Sequence, residues 1–580
     1  MKLKYIFYLA ACCLLVTSCA KDFLNQKPNV IISDAEYWKS TNDLKLYTNN
    51  YYNTMFPPYS DYFQVGVYGD DADMGSDNMV KLPYNSALNG ETVVPASGGG
   101  WDWTKLRTLN YFMDNYHKVN DSWDNLKPYV GETLFLRAMF YFDMLKKFGP
   151  LPWINKALNS DDKKLYGARL PRNIVADSIL ADLDHAIAYL PSRNGSQVGR
   201  INKEVAMLLQ SRVALYEGTW EKYHSGTPFG VTGANGNDFL KKAADAAGTL
   251  IDNEAGFTLD NVGVADGYRK LFNQTDYSNS NEVMFWRKFD NSLGIYQHWY
   301  LFVPLGLDRG ITKNLVDDYL CADGKPIGVS PLYQGDDSLQ QVVKNRDPRL
   351  RQTIFTNGAV ITSNRAGGAP DVIFTKPDFA NSANAPTGYE LLKGNISDAS
   401  QQVENSTQAL IYFRFAEALL NFAEAKAELG ILTQGDADKS INKLRGRVGM
   451  PSLNISGIVN DPDWTFPDLS PVINEVRRER RIELACEGFR HDDIFRWAAA
   501  KTLIAGWQPK GAKLKQWATL FPAAVLSKYT VDSKGYILPF GKVPALTNGY
   551  KFNNNRDYLL PLPSDQLVLN PALGGNNPGW

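Results

Sequence analysis

The sequence predicts a mainly α fold: amphipathic helices stacked in pairs into an α–α superhelix, with a loop-rich irregular subregion. Three observations carry that prediction. Apolar residues recur at helical spacing in segments spread along the chain, most of them closed by Gly or Pro. Between Phe257 and Ser406 the helical period largely disappears, and Asn, Gly, Pro and Asp become frequent. The chain has 580 residues, 44% apolar and 21% charged, an ordinary globular composition with ample material for a core.

The chain opens with an address. Lys2 and Lys4 precede an apolar stretch, Tyr5 to Val16, that is too short for a membrane span and fits a signal segment. Leu15-Val16-Thr17-Ser18-Cys19 then resembles the lipobox of bacterial lipoproteins. That resemblance implies that residues 1–18 are a lipoprotein-type signal peptide and that the Cys19 thiol is acylated. A soluble fold would then be held at a membrane by lipid. No later apolar run reaches the ~18–20 residues of a spanning helix.

The helices follow in order. Glu132 to Phe148 places Leu134, Ala138, Tyr141, Leu145 and Phe148 on one face, widened by Phe135, Met139 and Phe142, so it should be largely buried; Gly149-Pro150 stops it. From about Val175, Val175, Ile179, Leu183, Ile187 and Leu190 form a stripe that ends at Pro191. Lys203 to Tyr216 uses Val205, Leu209, Val213 and Tyr216, and a fourth helix covers Asp238 to Ile251. Ala409 to Leu429 repeats the pattern and ends at Gly430, with Asp436 to Val448 as its partner. Such pairs look like tetratricopeptide units. Each leaves an apolar face that only a neighbouring pair can cover, which predicts a stacked right-handed array. The expected division is an N-terminal helical region at 19–255, a loop-rich insertion at 256–406, and a C-terminal region of helical pairs and tail at 407–580.

The chemistry is sparse. Lys plus Arg is 61 against 62 Asp plus Glu, which argues against a nucleic-acid coat. The five histidines form no metal-ligand spacing, and no nucleophile elbow, phosphate loop or dinucleotide fingerprint is present. The reading is therefore a non-enzyme without cofactor, although paired carboxylates on loops leave no sequence mark. Asp70 to Asp77 is an acidic cluster that could hold Ca²⁺ or form Asx-type turns; it lacks the EF-hand glycine and terminal glutamate. Glu475 to Glu483 interleaves four arginines with three glutamates, the pattern of a structural helix with an ion-paired face. Past the leader, Cys321 and Cys486 read as free buried thiols, or as one bridge if the fold joins them.

A more specific pattern runs the length of the chain. Cys19 with Asp22-Phe23-Leu24, Phe135-Leu136-Arg137-Ala138, Gly199-Arg200, Asp347-Pro348-Arg349-Leu350, Arg414 with Ala416-Glu417, and Arg477 to Glu483 with Glu487-Gly488, Arg490, Asp493 and Arg496-Trp497 resemble, in order, the motifs of the SusD/RagB family of Bacteroidetes outer-membrane lipoproteins. So does the end, Leu560-Pro561-Leu562-Pro563 through Asn577-Pro578-Gly579-Trp580. The resemblance implies a tetratricopeptide-like scaffold, the outer face of the outer membrane, and a SusC-like TonB-dependent β-barrel partner. It further implies capture of oligo- or polysaccharide for delivery to that barrel, with no catalysis. A peptide-capturing lid on the same scaffold is the alternative, and a surface glycoside hydrolase a more remote one.

A sugar site needs aromatic planes for C–H faces and polar side chains for hydroxyl edges. Two segments offer both. Trp101 and Trp103 follow a triple-glycine loop, with Asp77 and Asn78 upstream. Tyr296 and Trp299 lie in the irregular subregion, on the expected ligand side.

Overall fold

The scaffold is seen in a computed structural model that describes residues 37–56, 73, 75–252, 255–260, 263–297, 308–379, 385–403 and 405–580. The first helix that lies wholly among the described residues, α1 (Thr41–Met55), buries only Leu44, Thr48 and Tyr51, a stripe too thin for periodicity to reveal. Next, α2 (Thr104–Asn115) starts directly behind Trp103. Then α3 (Trp123–Phe148), α4 (Arg172–Tyr189), α5 (Lys203–Tyr223) and α6 (Asn237–Ile251) pack each on the next, as the paired pattern predicts. α3 starts at Trp123 rather than Glu132. Leu126 and Val130 extend its buried stripe toward the N-terminus, but Pro128 reads as a breaker although the helix runs through it.

α5 is buried along almost its whole length, from Glu204 to Glu221, and forms the centre of the array. Close approach to α6 depends on glycine. A Cβ on Gly236, at φ 73°, would lie 1.9 Å from the Gly218 carbonyl oxygen of α5.

The array does not end at α6. Its next member, α7 (Phe415–Glu428), comes from beyond the loop-rich region and packs directly on α6. Residues 410–414, expected to be helical, form a strand instead. Six short strands lie among the described residues: β1 (Met79–Lys81), β2 (Val283–Arg287), β3 (Arg309–Ile311), β4 (Val360–Thr362), β5 (Val372–Ile373) and β6 (Leu410–Arg414). β6 pairs antiparallel with β2, Val283 opposite Arg414 and Arg287 opposite Leu410. Its Leu-Ile-Tyr-Phe run suits a pleated, half-buried surface, and the ladder with β2 overrides the helical period. The expected partner helix is two short ones, α8 (Gln434–Lys439) and α9 (Ile441–Arg447), broken at Ser440 (φ −128°, ψ −96°). α10 (Pro471–Glu483) packs on α7, and α11 (Arg490–Arg496) packs on α5.

α10 carries an ion-paired surface, but the whole of it is interior. Arg477, Arg478, Arg480 and Arg481 are all buried. They pair respectively with Glu428, Glu475, Asp493 and Asp77, at 2.9, 2.6, 2.9 and 2.9 Å. Glu483 at the end of the helix meets three guanidiniums: Arg349 at 3.0 Å, Arg414 at 2.8 Å and Arg447 at 2.5 Å. The Asp347-Pro348-Arg349 motif thereby fastens the loop-rich region to the helical array. Buried pairs of this kind specify an arrangement more than they stabilise it, because desolvation offsets most of the attraction. Cys321 and Cys486 are separate buried thiols.

Candidate functional site

Asp77 and Asn78, expected to meet ligand, belong to the interior. Each is 1% exposed. Arg490 Nε and Arg481 Nη2 reach the Asp77 carboxylate at 2.7 and 2.9 Å. Burial alone would raise the Asp77 carboxyl, but the Arg481 and Arg490 guanidiniums outweigh it and hold it below the usual carboxylate range. Asn78 Nδ2 donates to Asp73 at 2.8 Å, and its Oδ1 accepts from Arg481 Nε at 2.7 Å. Asp73 also accepts the backbone amides of Cys486 and Gly488. The carboxylates of Asp73 and Asp77 are thus committed within the protein. Asp70 and Asp71 lie outside the described residues.

Trp101 and Trp103 are half-buried. Trp101 stands edge-on to Phe148 and to Trp103, centroids 5.0 and 5.2 Å apart, and Trp103 packs on Phe140 and Tyr141. They form the outer skin of the core, each with part of its ring exposed. Tyr296 is 42% exposed, beside a turn in which Asp290 and Ile295 pair. Trp299 lies outside the described residues, as do His298 and Tyr300.

The aromatic wall continues past these residues into an open cleft of about 400 Å³ on the flank of the array. α3 supplies one side. Trp123, its first residue, is 44% exposed and stands edge-on to Tyr189 of α4, centroids 5.0 Å apart. Tyr116, in the turn after α2, lies 6.4 Å from Trp123. The far side is Trp153, stacked 4.1 Å from Tyr141. The loop bearing it is pinned three ways. Tyr141 Oη accepts the Ile154 amide at 2.6 Å, Asn110 Nδ2 donates to the Ile154 carbonyl at 2.9 Å, and Arg137 Nη1 donates to the Asn155 carbonyl at 3.3 Å.

At the base of the cleft, Arg137 and Asp182 form a bidentate pair, both contacts 2.7 Å, and both residues are buried. His185 stacks on Tyr189 at 5.7 Å. The indole N–H groups of Trp123 and Trp153 and the hydroxyl of Tyr116 have no hydrogen-bond partner among the described residues. The cleft therefore offers ring surfaces and unspent neutral donors together. A smaller cavity of about 80 Å³ behind β6 includes Lys393 and Arg414, whose donors are already used inside the protein.

Sequence periodicity did not single out the cleft residues. Ser178, Ala181, Asp182, His185 and Tyr189 do recur at helical spacing on α4, beside its apolar stripe. That second stripe was the available signal, and its mixed polarity hid it. Trp153 depends on the tertiary pinning of its loop and has no local mark.

A helical array with an aromatic cleft on its flank is a binding scaffold. Two family models match the chain: "Starch-binding associating with outer membrane" over residues 102–215, and "SusD family" over 306–580. The chain thus matches SusD-type family models in both its N-terminal and its C-terminal parts. SusD-like protein P2 of Formosa agariphila is 26% identical, with 98% of each chain covered. SusD-like protein P38 of the same organism is 21% identical over 85% of this chain and 90% of its own. A solved SusD-like protein of Bacteroides fragilis superposes with a TM-score of 0.69 at 23% identity, covering 95% of this chain and 99% of its own. A laminarin-binding SusD-like protein gives 0.57 at 20% identity, covering 94% and 100%. At such identities the structures share the fold.

Proposed function

We propose that this chain is a lipid-anchored cell-surface protein that binds oligo- or polysaccharide and delivers it to a SusC-like TonB-dependent transporter of the outer membrane, without catalysis. The observation that carries the reading is the cleft, where Trp123, Trp153, Tyr116 and Tyr189 surround open space and keep neutral donors free. Rings of this kind cover sugar C–H faces, and their polar tips serve hydroxyl edges. The family, and a relative described as laminarin-binding, support the same ligand class. Cys19, outside the described residues, would carry the anchor. Trp101, Trp103, Tyr296 and Trp299 remain candidate outer contacts.

The test is a carbohydrate array on soluble protein beginning after Cys19, followed by Trp123→Ala and Trp153→Ala on the best ligand. Loss of one stacking ring costs ~1–2 kcal/mol, or about 5–30-fold in affinity. Each variant should lose that much at nearly unchanged Tm. Absence of any glycan ligand, or full affinity in both variants, would sink the reading.

A further inference from the structure

We infer that the cleft selects uncharged glycan chains and turns away carboxylated or sulfated ones; this deepens the glycan-capture reading and rests on it. The reason is the state of the charges in the lining. Among the described residues, Arg137 is the one arginine of the lining, and no lysine lines the cleft. Its Nε and Nη2 are both bonded to Asp182 at 2.7 Å, and its Nη1 is held by Asn110 Oδ1 at 3.2 Å and the Asn155 carbonyl at 3.3 Å. Asp182 in turn gives both oxygens to Arg137. The pair is neutral as a unit, buried, and has no strong site left for an anion.

What remains free is neutral: the N–H groups of Trp123 and Trp153 and the hydroxyl of Tyr116. Indole N–H groups donate only, so they match hydroxyl, ether and ring oxygens. A uronate or sulfate ester entering here would give up water and meet no cation in exchange, a cost that a hydroxyl avoids. His185, the other basic side chain of the lining, is stacked on Tyr189.

The experiment takes the tightest-binding neutral polysaccharide from the array and compares it with the same polymer oxidised at its primary hydroxyls to carboxylates. The charged form should bind about 30-fold more weakly, the scale of one uncompensated polar desolvation. Affinity for the neutral parent should hold between about 50 and about 500 mM salt, since screening acts only on charge. Ala181→Arg, at an exposed α4 position in the lining, should restore about tenfold of the binding to the oxidised chain.

The inference is overturned if the oxidised polymer binds wild type as tightly as its parent and Trp123→Ala removes both, because glycan capture would then stand without charge selection. It is also overturned if Ala181→Arg folds normally and leaves binding of the oxidised chain unchanged. Failure of every neutral and charged glycan to bind would remove the capture reading itself, and the selectivity with it.

Discussion

Replacing Glu483 with Gln should weaken the fold without touching the cleft. In the native protein its carboxylate lies within 3.0 Å of Arg349 and Arg414, both buried, and of Arg447, which is partly buried. Neutralising it does not strand all three. Arg414 keeps Glu282 and Glu487, Arg447 keeps Glu282, and Arg349 keeps Asp347 and Glu479. The loss is therefore set at one broken buried pair, ~3–5 kcal/mol, rather than three. At ~2 cal/mol/K per residue the unfolding entropy of so long a chain makes each kcal/mol worth about 1 °C, so Tm should fall by about 4 °C in calorimetry at pH 7. Asp238→Asn, at an exposed pair with Lys241, is the control and should shift Tm by less than about 1 °C.

Acid provides a second handle. Burial would raise the Glu483 carboxyl, but Arg447, Arg414 and Arg349 override it and hold it far below its usual 4.5. A carboxyl depressed in the folded state contributes its stabilisation above the unfolded pKa and loses it as pH falls toward the folded value. The wild-type advantage over Glu483→Gln should thus narrow below about pH 4.5, by ~1.4 kcal/mol per pH unit. A Tm within 1 °C of wild type at pH 7, or a gap that widens in acid, would refute this account of the interior.

Asp77→Asn should behave as an interior substitution: a loss of about 3–5 kcal/mol from the Arg481–Arg490 site, with glycan affinity of the folded protein unchanged. Normal stability with lost binding would return Asp77 to the ligand surface. Cys19→Ala, made in cells lacking the barrel, should move the protein from the membrane to the soluble fraction with its Tm intact, because the proposed anchor is lipid. Retention in the membrane as tight as wild type would end the lipoprotein reading.

The helices that carry strong stripes were legible: Val175 to Leu190 overruns the end of α4 by one residue, and Lys203 to Tyr216 lies within α5. Leu410 to Arg414 was misread because its apolar spacing fits both periods, and only its partner strand decides. The acid and arginine run of α10 announced pairing, yet its burial follows from carboxylates hundreds of residues away, such as Asp77. The site was less visible. Asp77 and Asn78 looked like ligand groups because polar residues near aromatics fit a sugar site. Nothing local says that Arg481 and Arg490 have claimed them. Trp123 and Tyr189 become one surface only when α3 and α4 pack.

The contact between α6 and α7 has a consequence for how the chain is made. α6 presents Ala243, Ala247 and Leu250 to the interior, and Gly248 lies so close to α7 that a Cβ there would sit 3.2 Å from the Phe422 ring. The residues that cover this face are separated from it by the whole 252–414 excursion. At ~5–20 residues per second, synthesis leaves it without its partner for roughly 10–30 s. The first half of the array therefore waits for the second, and a fragment ending near residue 255 would expose an unpartnered apolar helix. Pairing of β2 with β6 then closes the excursion behind it.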